Sequence, residues 1–448
     1  MPFRKERKCF GRDLALPNTI ESPAMSSDSS LYDALIIGGG PAGSTAALVM
    51  ARAGLRVRLL ERTPFPRFHI GESLLPRNFA LFRELGLMDA LEGLPKVDKY
   101  GAEFILGSGG EPSLFPFTMS LLGSETMSYN LERAPFDARL LATAAQAGAE
   151  IREGVAVRKI LRLEDGNVEV ETDEGNVAAR FLVDASGQST LLGKHLKIRN
   201  VLPHLKKIAY FGHFENVWRR PGPEGGYIVI VVCEEGWFWI IPLDETRTSI
   251  GLVMHEHVAR KVGLPADQML AWGISRCPEV RRRTAGAAFP TETHVLADFS
   301  YRCDPCAGPG YFLAGDAATF IDPIFSTGVC MGMMSGAEVG RSIIAAVRRG
   351  EDPAALRRRY IRFVKGSSST FFRLVEMYYD PSFRELFLDG QGPLQVHRAA
   401  MAILSGWVFP RPPFALRWRF ALLSLFTRIN RYFPIATRRE RFSLLAEP

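Results

Sequence analysis

Asp33-Ala34-Leu35-Ile36-Ile37-Gly38-Gly39-Gly40-Pro41-Ala42-Gly43 is the stretch that decides the fold of this chain. The apolar run ending at Ile37 reads as a buried strand, and the small residues at 44–53 read as a helix. A second strand at 57–60 ends on Glu61. Strand, G-x-G-x-x-G turn, helix, strand and acid within ~30 residues make a Rossmann-type dinucleotide unit. Gly38 permits the tight turn. Gly40, with Pro41 and Ala42, lets backbone approach a pyrophosphate, and Gly43 lets the helix pack against the strand. The helix N-terminus turns N–H groups and a positive dipole toward the anion. Glu61 is placed to accept hydrogen bonds from an adenosine ribose.

Downstream of this unit, helical periodicity returns at 134–148, and alternating strands follow at 155–170 with an Asp165-Gly166 hairpin turn. Phe181-Leu182-Val183-Asp184-Ala185-Ser186-Gly187 closes another strand. Alternating β-branched and aromatic runs at 227–232, 237–241 and 248–253 predict an antiparallel sheet distinct from the parallel one. Tyr311-Phe312-Leu313-Ala314 then runs into Gly315-Asp316-Ala317-Ala318, and a long helix begins near Ser326. The expected architecture is mixed α/β. A discontinuous nucleotide domain covers 31–98, 129–205 and 300–350, and a substrate sheet covers 99–128 and 206–299. A helical region at 351–448 serves as lid or docking element.

Composition narrows the class. The 448 residues are 47% hydrophobic and 23% charged, ordinary for a soluble globular protein. No uncharged apolar run approaches the ~18 residues of a membrane span. The six scattered cysteines suit a reducing cytoplasm, and Cys303-Asp304-Pro305-Cys306 lacks the partners of a metal or redox motif. The net charge of +7 is dispersed without a nucleic-acid reader motif, so no nucleic-acid partner is expected. Residues 1–30 are polar, basic and aperiodic, read as a disordered extension with Met25 as an alternative start. At 414–433, Arg417, Arg419, Arg428 and Arg431 alternate with Phe, Leu and Trp, the pattern of an amphipathic helix that packs on its own domain or contacts a carrier or membrane surface.

Several further motifs resemble the flavin-dependent halogenases and their monooxygenase relatives, and together they span most of the chain. Phe65-Pro66-Arg67-Phe68-His69-Ile70-Gly71-Glu72-Ser73-Leu74 is similar to the family's second flavin-contacting segment. Asn130-Leu131-Glu132-Arg133-Ala134-Pro135-Phe136-Asp137 is similar to its R-x-x-F-D segment. The Asp184–Gly187 and Gly315–Ala318 stretches resemble two further fingerprints. The resemblance implies a p-hydroxybenzoate-hydroxylase-like fold that binds FAD. Glu61, Arg62, Arg67, Ile70, Gly71, Glu72, Ser73, Arg133, Val157, Asp184, Gly187, Gly315, Asp316, Pro323 and Gly328 would join the glycine turn around that cofactor.

Three features point within the family. Trp237-Phe238-Trp239-Ile240-Ile241-Pro242 matches the W-x-W-x-I-P signature, and period-two spacing turns both indoles to one side of a strand. There they would keep an organic substrate from the activated oxygen. Lys99, with Lys96 as competing candidate, resembles the family's halogen-relay lysine. In Asp322-Pro323-Ile324-Phe325-Ser326-Thr327-Gly328, Thr327 and Gly328 correspond to the halide-binding turn. Phe325 stands where tryptophan halogenases carry glutamate, so the resemblance favours phenol- and pyrrole-type members, whose substrates are often carrier-tethered. The implied activity uses FAD reduced by a separate flavin reductase, oxygen, and chloride or bromide. The rival activities are a halide-independent aromatic hydroxylase and a geranylgeranyl-reductase-like lipid oxidoreductase.

Overall fold

A computed structural model describes residues 31–290, 292–297, 300–390 and 393–446. The expectations for residues 1–30 and for a start at Met25 lie outside the described residues. Strand Tyr32–Ile37 runs through the middle of an eight-stranded sheet, as its buried Ala34, Leu35, Ile36 and Ile37 require. Val57–Glu61 pairs with it on one side and Gly175–Asp184 on the other, both parallel. Glu150–Glu153 and Tyr311–Leu313 extend these two flanks, again in parallel. The chain therefore leaves the first strand toward one side and later returns on the other, which opens a crevice at the carboxyl ends of the strands. The hairpin at Asp165-Gly166 joins Val157–Glu164 to Asn167–Thr172 at the sheet's margin.

Helices Pro41–Arg52 and Gly328–Arg349 pack against each other over this sheet, with Arg133–Gln146 beside the first. The long helix starts two residues later than Ser326. A 3-10 turn at Pro323–Phe325 ends with Ser326 in the left-handed region, φ 56°, which delays regular helix to Gly328.

The second sheet has seven strands in the order His294–Ala297, Lys207–Glu215, Arg247–His255, Gly236–Pro242, Ile228–Val232, Gly101–Leu106 and Ser113–Pro116. It is antiparallel except where Ile228–Val232 lies parallel to Gly101–Leu106. Period-two alternation splits its side chains. Trp237, Trp239 and Ile241 enter one apolar cluster, and Phe238 and Ile240 enter another on the opposite face.

Pro353–Tyr378, Pro381–Asp389, Val396–Leu404 and Phe414–Tyr432 form the helical C-terminal region. They share the tryptophans' cluster through Phe371, Phe372, Tyr378 and Phe387, so their apolar faces are used in packing that sheet. The Phe414 helix buries Leu416, Phe420, Leu423, Thr427 and Asn430, a stripe at helical spacing. Among the described residues no helix is long and apolar enough to cross a membrane. Cys233, Cys277, Cys303, Cys306 and Cys330 are buried free thiols.

Candidate active site

One cavity of about 800 Å³ lies in the crevice and extends to the tryptophan face of the second sheet. Its nucleotide end is built as the glycine spacing requires. Gly38 has φ 100°, and a Cβ there would meet the Ala185 carbonyl oxygen at 2.4 Å; a Cβ on Gly43 would lie 1.9 Å from the Gly38 oxygen. Gly40 differs. Its added Cβ would meet only an Arg67 nitrogen, at 3.8 Å, so the turn presents bare backbone to open space. Gly38, Gly40, Pro41 and Ala42 line the cavity, whereas Gly43 stays in the helix–strand contact. Glu61 accepts from the backbone N–H of Gly39 (2.8 Å) and of Thr63 (3.0 Å), binding the second strand to the turn. A carboxylate has about four acceptor sites, so it keeps capacity for hydroxyl donors. Arg62, Arg67, Val157 and Gly187 complete this end.

Further along, Arg133 grips Asp137 through two 2.8 Å bonds and donates to the Ile70 carbonyl at 2.8 Å. That bond holds the Ile70-Gly71-Glu72-Ser73 segment against the cavity. Asp316 faces the same space, and burial pushes its carboxyl up to about 6 despite the opposing pull of Arg133. Gly315 donates its N–H to Ser335 Oγ at 2.8 Å, fixing the segment to the long helix. Asp184 behaves otherwise than expected. It does not line the cavity; its oxygens accept from the N–H groups of Ser186 (2.9 Å) and Leu192 (2.7 Å). Its work is to shape the loop that carries Gly187.

Trp237 and Trp239 both line the cavity, with ring centroids 6.0 Å apart. Each indole N–H is already taken, by Tyr379 Oη and by Ser249 Oγ respectively, both at 3.0 Å. What remains toward the cavity is ring surface, a wall without donors. Gly251 makes the wall possible: a Cβ there would sit 2.2 Å from the Trp239 ring.

Lys99 ends the short strand Lys96–Lys99, paired with Ser128–Leu131. It is 2% exposed, and Nζ donates to Ser73 Oγ at 2.8 Å and to the Leu74 carbonyl at 3.1 Å. The amine thus stands one side chain behind the cavity wall, with Ser73 between. Burial lowers its pKa to about 7, and among the described residues no carboxylate is paired with it to hold the proton. A neutral amine that spends two N–H groups on these acceptors leaves its lone pair free. Lys96, the competing candidate, reaches the Leu91 and Leu94 carbonyls at 3.4 Å and supports a turn.

Ser326, Thr327 and Gly328 line the cavity at the start of the 22-residue helix, and no side chain caps that terminus. Its first N–H groups and the helix dipole make a seat for an anion. Phe325 is buried with its ring 5.6 Å from that of Tyr378.

The aromatic run at 363–379 belongs to the helix Pro353–Tyr378 and its C-cap Tyr379, and does not reach the cavity surface. Among the described residues no lining residue follows Gly332: Phe363 and Val364 enter the core of the first sheet, and Phe371, Phe372 and Tyr378 enter the tryptophans' core. Conversely, Phe211, His294 and Asp322 line the cavity without having been singled out. Phe68 and His294 stack at 4.2 Å. Asp322 was legible as part of the Asp-Pro turn, but Phe211 and His294 carry no local signal.

Similarity to known proteins extends over most of the chain. The model of the FAD binding domain family matches residues 31–362. The chain is 34% identical over 330 residues to a 1H-pyrrole-2-carbonyl-[peptidyl-carrier protein] brominase of Pseudoalteromonas luteoviolacea, covering 72% of this chain and 79% of that one. It is 29% identical over 374 residues to the corresponding chlorinase of Pseudomonas fluorescens, 78% and 83% of the two chains. Among solved structures, a flavin-dependent brominase superposes with TM-score 0.78 at 29% identity, covering 89% of this chain and 99% of that one.

Proposed function

This chain belongs to the flavin-dependent halogenases, and we propose that it places chlorine or bromine on an electron-rich aromatic ring, a phenol or a pyrrole. The observation that carries this reading is the buried Lys99 amine, one side chain from a cavity walled by Trp237 and Trp239 and closed by an uncapped helix end.

The cavity residues suit FAD. Gly40 opens on free space, Glu61 retains acceptor capacity for the ribose, and the Asp316 carboxylate faces the region where the ribityl hydroxyls would lie. When bound and reduced, FAD supplies the two-electron activation of oxygen by which halide becomes hypohalous acid. The chain's residues do the rest by position. Thr327 and Gly328 hold the halide at the helix N-terminus. The two indole faces exclude water and the organic ring from the oxygen-activating end. Lys99, about half of it neutral at pH 7, holds the hypohalous acid by a hydrogen bond or takes its halogen onto the lone pair with loss of water, and hands the halogen to the ring in exchange for the ring proton. Phe325, in place of an acid, argues against free tryptophan as substrate.

Two relatives are named for pyrrolyl groups on a peptidyl carrier protein, and a carrier-bound substrate is the form we propose here. The outer face of the Phe414 helix exposes Phe414, Leu425, Ile429 and Tyr432 beside Arg417, Arg428 and Arg431, a surface suited to such a carrier. A separate flavin reductase would supply the reduced cofactor. Lys99→Ala tests the assignment. FAD binding should persist while halogenated product falls by about a hundredfold or more; undiminished product would remove Lys99 from the mechanism.

A further inference from the structure

Lys207 opens the strand Lys207–Glu215 and is 2% exposed. Its Nζ lies 3.5 Å from Asp322 Oδ2 and 3.5 Å from the centre of the Tyr379 ring. Asp322 is the first residue of the turn that leads to Thr327 and Gly328. Its Oδ1 accepts the Ile324 N–H at 3.0 Å, and its Oδ2 accepts the Tyr379 hydroxyl at 3.0 Å. The Tyr379 oxygen in turn accepts the Trp237 indole N–H at 3.0 Å. One buried chain of contacts thus joins a lysine, the halide turn and the tryptophan wall.

The electrostatics of this chain matter for an anion. A carboxylate 3% exposed within the same turn would repel a halide at Thr327 and Gly328, because charges so buried are screened little by solvent. We propose that Lys207 is a positioning residue for the halide: its buried ammonium cancels the Asp322 charge and so lets an anion settle on the turn. The proposal rests on the reading of Thr327 and Gly328 as the halide seat. It assigns Lys207 no contact with halide, flavin or substrate.

Chlorine NMR line broadening on the protein loaded with oxidised FAD reads chloride binding without turnover. Lys207→Met should weaken chloride binding by about tenfold or more, since it leaves Asp322 uncompensated. Asp322→Asn alone should tighten it, and the double variant Lys207→Met/Asp322→Asn should return to within about twofold of the parent. The double variant buries no lone charge, so together with Asp322→Asn it carries the test even where Lys207→Met does not fold: tighter binding in the single variant and near-parental binding in the double are expected. A double variant that binds as weakly as Lys207→Met, or one far from the parent when Lys207→Met is absent from the comparison, overturns the proposal by making the effect one of shape. Equal affinity in all variants overturns it too. Absence of chloride binding in the parent refutes the halide seat itself, and the proposal with it.

Discussion

Replacing Lys99 by methionine isolates the cost of burying its charge. The side chain is 2% exposed and its pKa falls from 10.5 to about 7, with burial as the cause. Below pH 7 folded and unfolded chains both carry the proton, and the folded state bears the full penalty, about 5 kcal/mol. Between pH 7 and 10.5 the folded lysine is neutral while the unfolded one is charged. The unfolded chain then binds more protons, so stability rises with pH and the penalty shrinks to about 2 kcal/mol at pH 9. Methionine keeps the apolar stem but loses the bonds to Ser73 and Leu74, a loss that hardly varies with pH. Urea unfolding of parent and variant at pH 6 and pH 9 should therefore show the variant's relative stability greater at pH 6 by about 3 kcal/mol. A difference constant within about 0.5 kcal/mol would refute a depressed lysine and, with it, the neutral amine on which halogen transfer depends.

Two glycine exchanges separate binding from packing. Gly40→Ala points into open space, so the apoprotein's stability should stay within about 0.5 kcal/mol while FAD affinity falls about tenfold; Gly43→Ala collides with the Gly38 oxygen and should cost about 3 kcal/mol in the apoprotein. Urea unfolding and FAD titration read the pair, and equal effects on both would remove the distinction. Gly251→Ala pushes on the Trp239 ring and should destabilise by about 1–3 kcal/mol with a changed near-ultraviolet dichroism. An unchanged spectrum would show that the ring is not held by that gap.

The nucleotide unit was legible because its signals are local: turn, helix start and strand-ending acid fall within one short stretch. The facing of Trp237 and Trp239 was legible for the same reason, since alternation along a strand needs no tertiary knowledge. Legibility ended where long-range pairing decides. Asp184 lies in a recognisable motif, yet its carboxylate serves the Ser186 and Leu192 N–H groups of its own loop. Lys99 was found by resemblance, but its place behind Ser73 comes from strand pairing with Ser128–Leu131. Lys207 carries no local mark at all; its meaning depends on Asp322 and Tyr379, which reach it only through the fold. Aromatic residues serve a core and a pocket wall alike, so the sequence of 363–379 does not show that Phe371, Phe372 and Tyr378 pack with the tryptophans.

The central claim is that this chain's flavin halogenates. The direct measurement supplies the purified protein with FAD, a flavin reductase with its nicotinamide donor, oxygen and bromide. Substrates are free phenols, pyrroles and indoles, and a pyrrolyl group on a peptidyl carrier protein, with products read by mass spectrometry. The account predicts a product bearing the bromine isotope doublet that disappears when bromide is omitted and in Lys99→Ala. An oxygenated product formed equally well without halide, or no brominated product from any substrate, would contradict it.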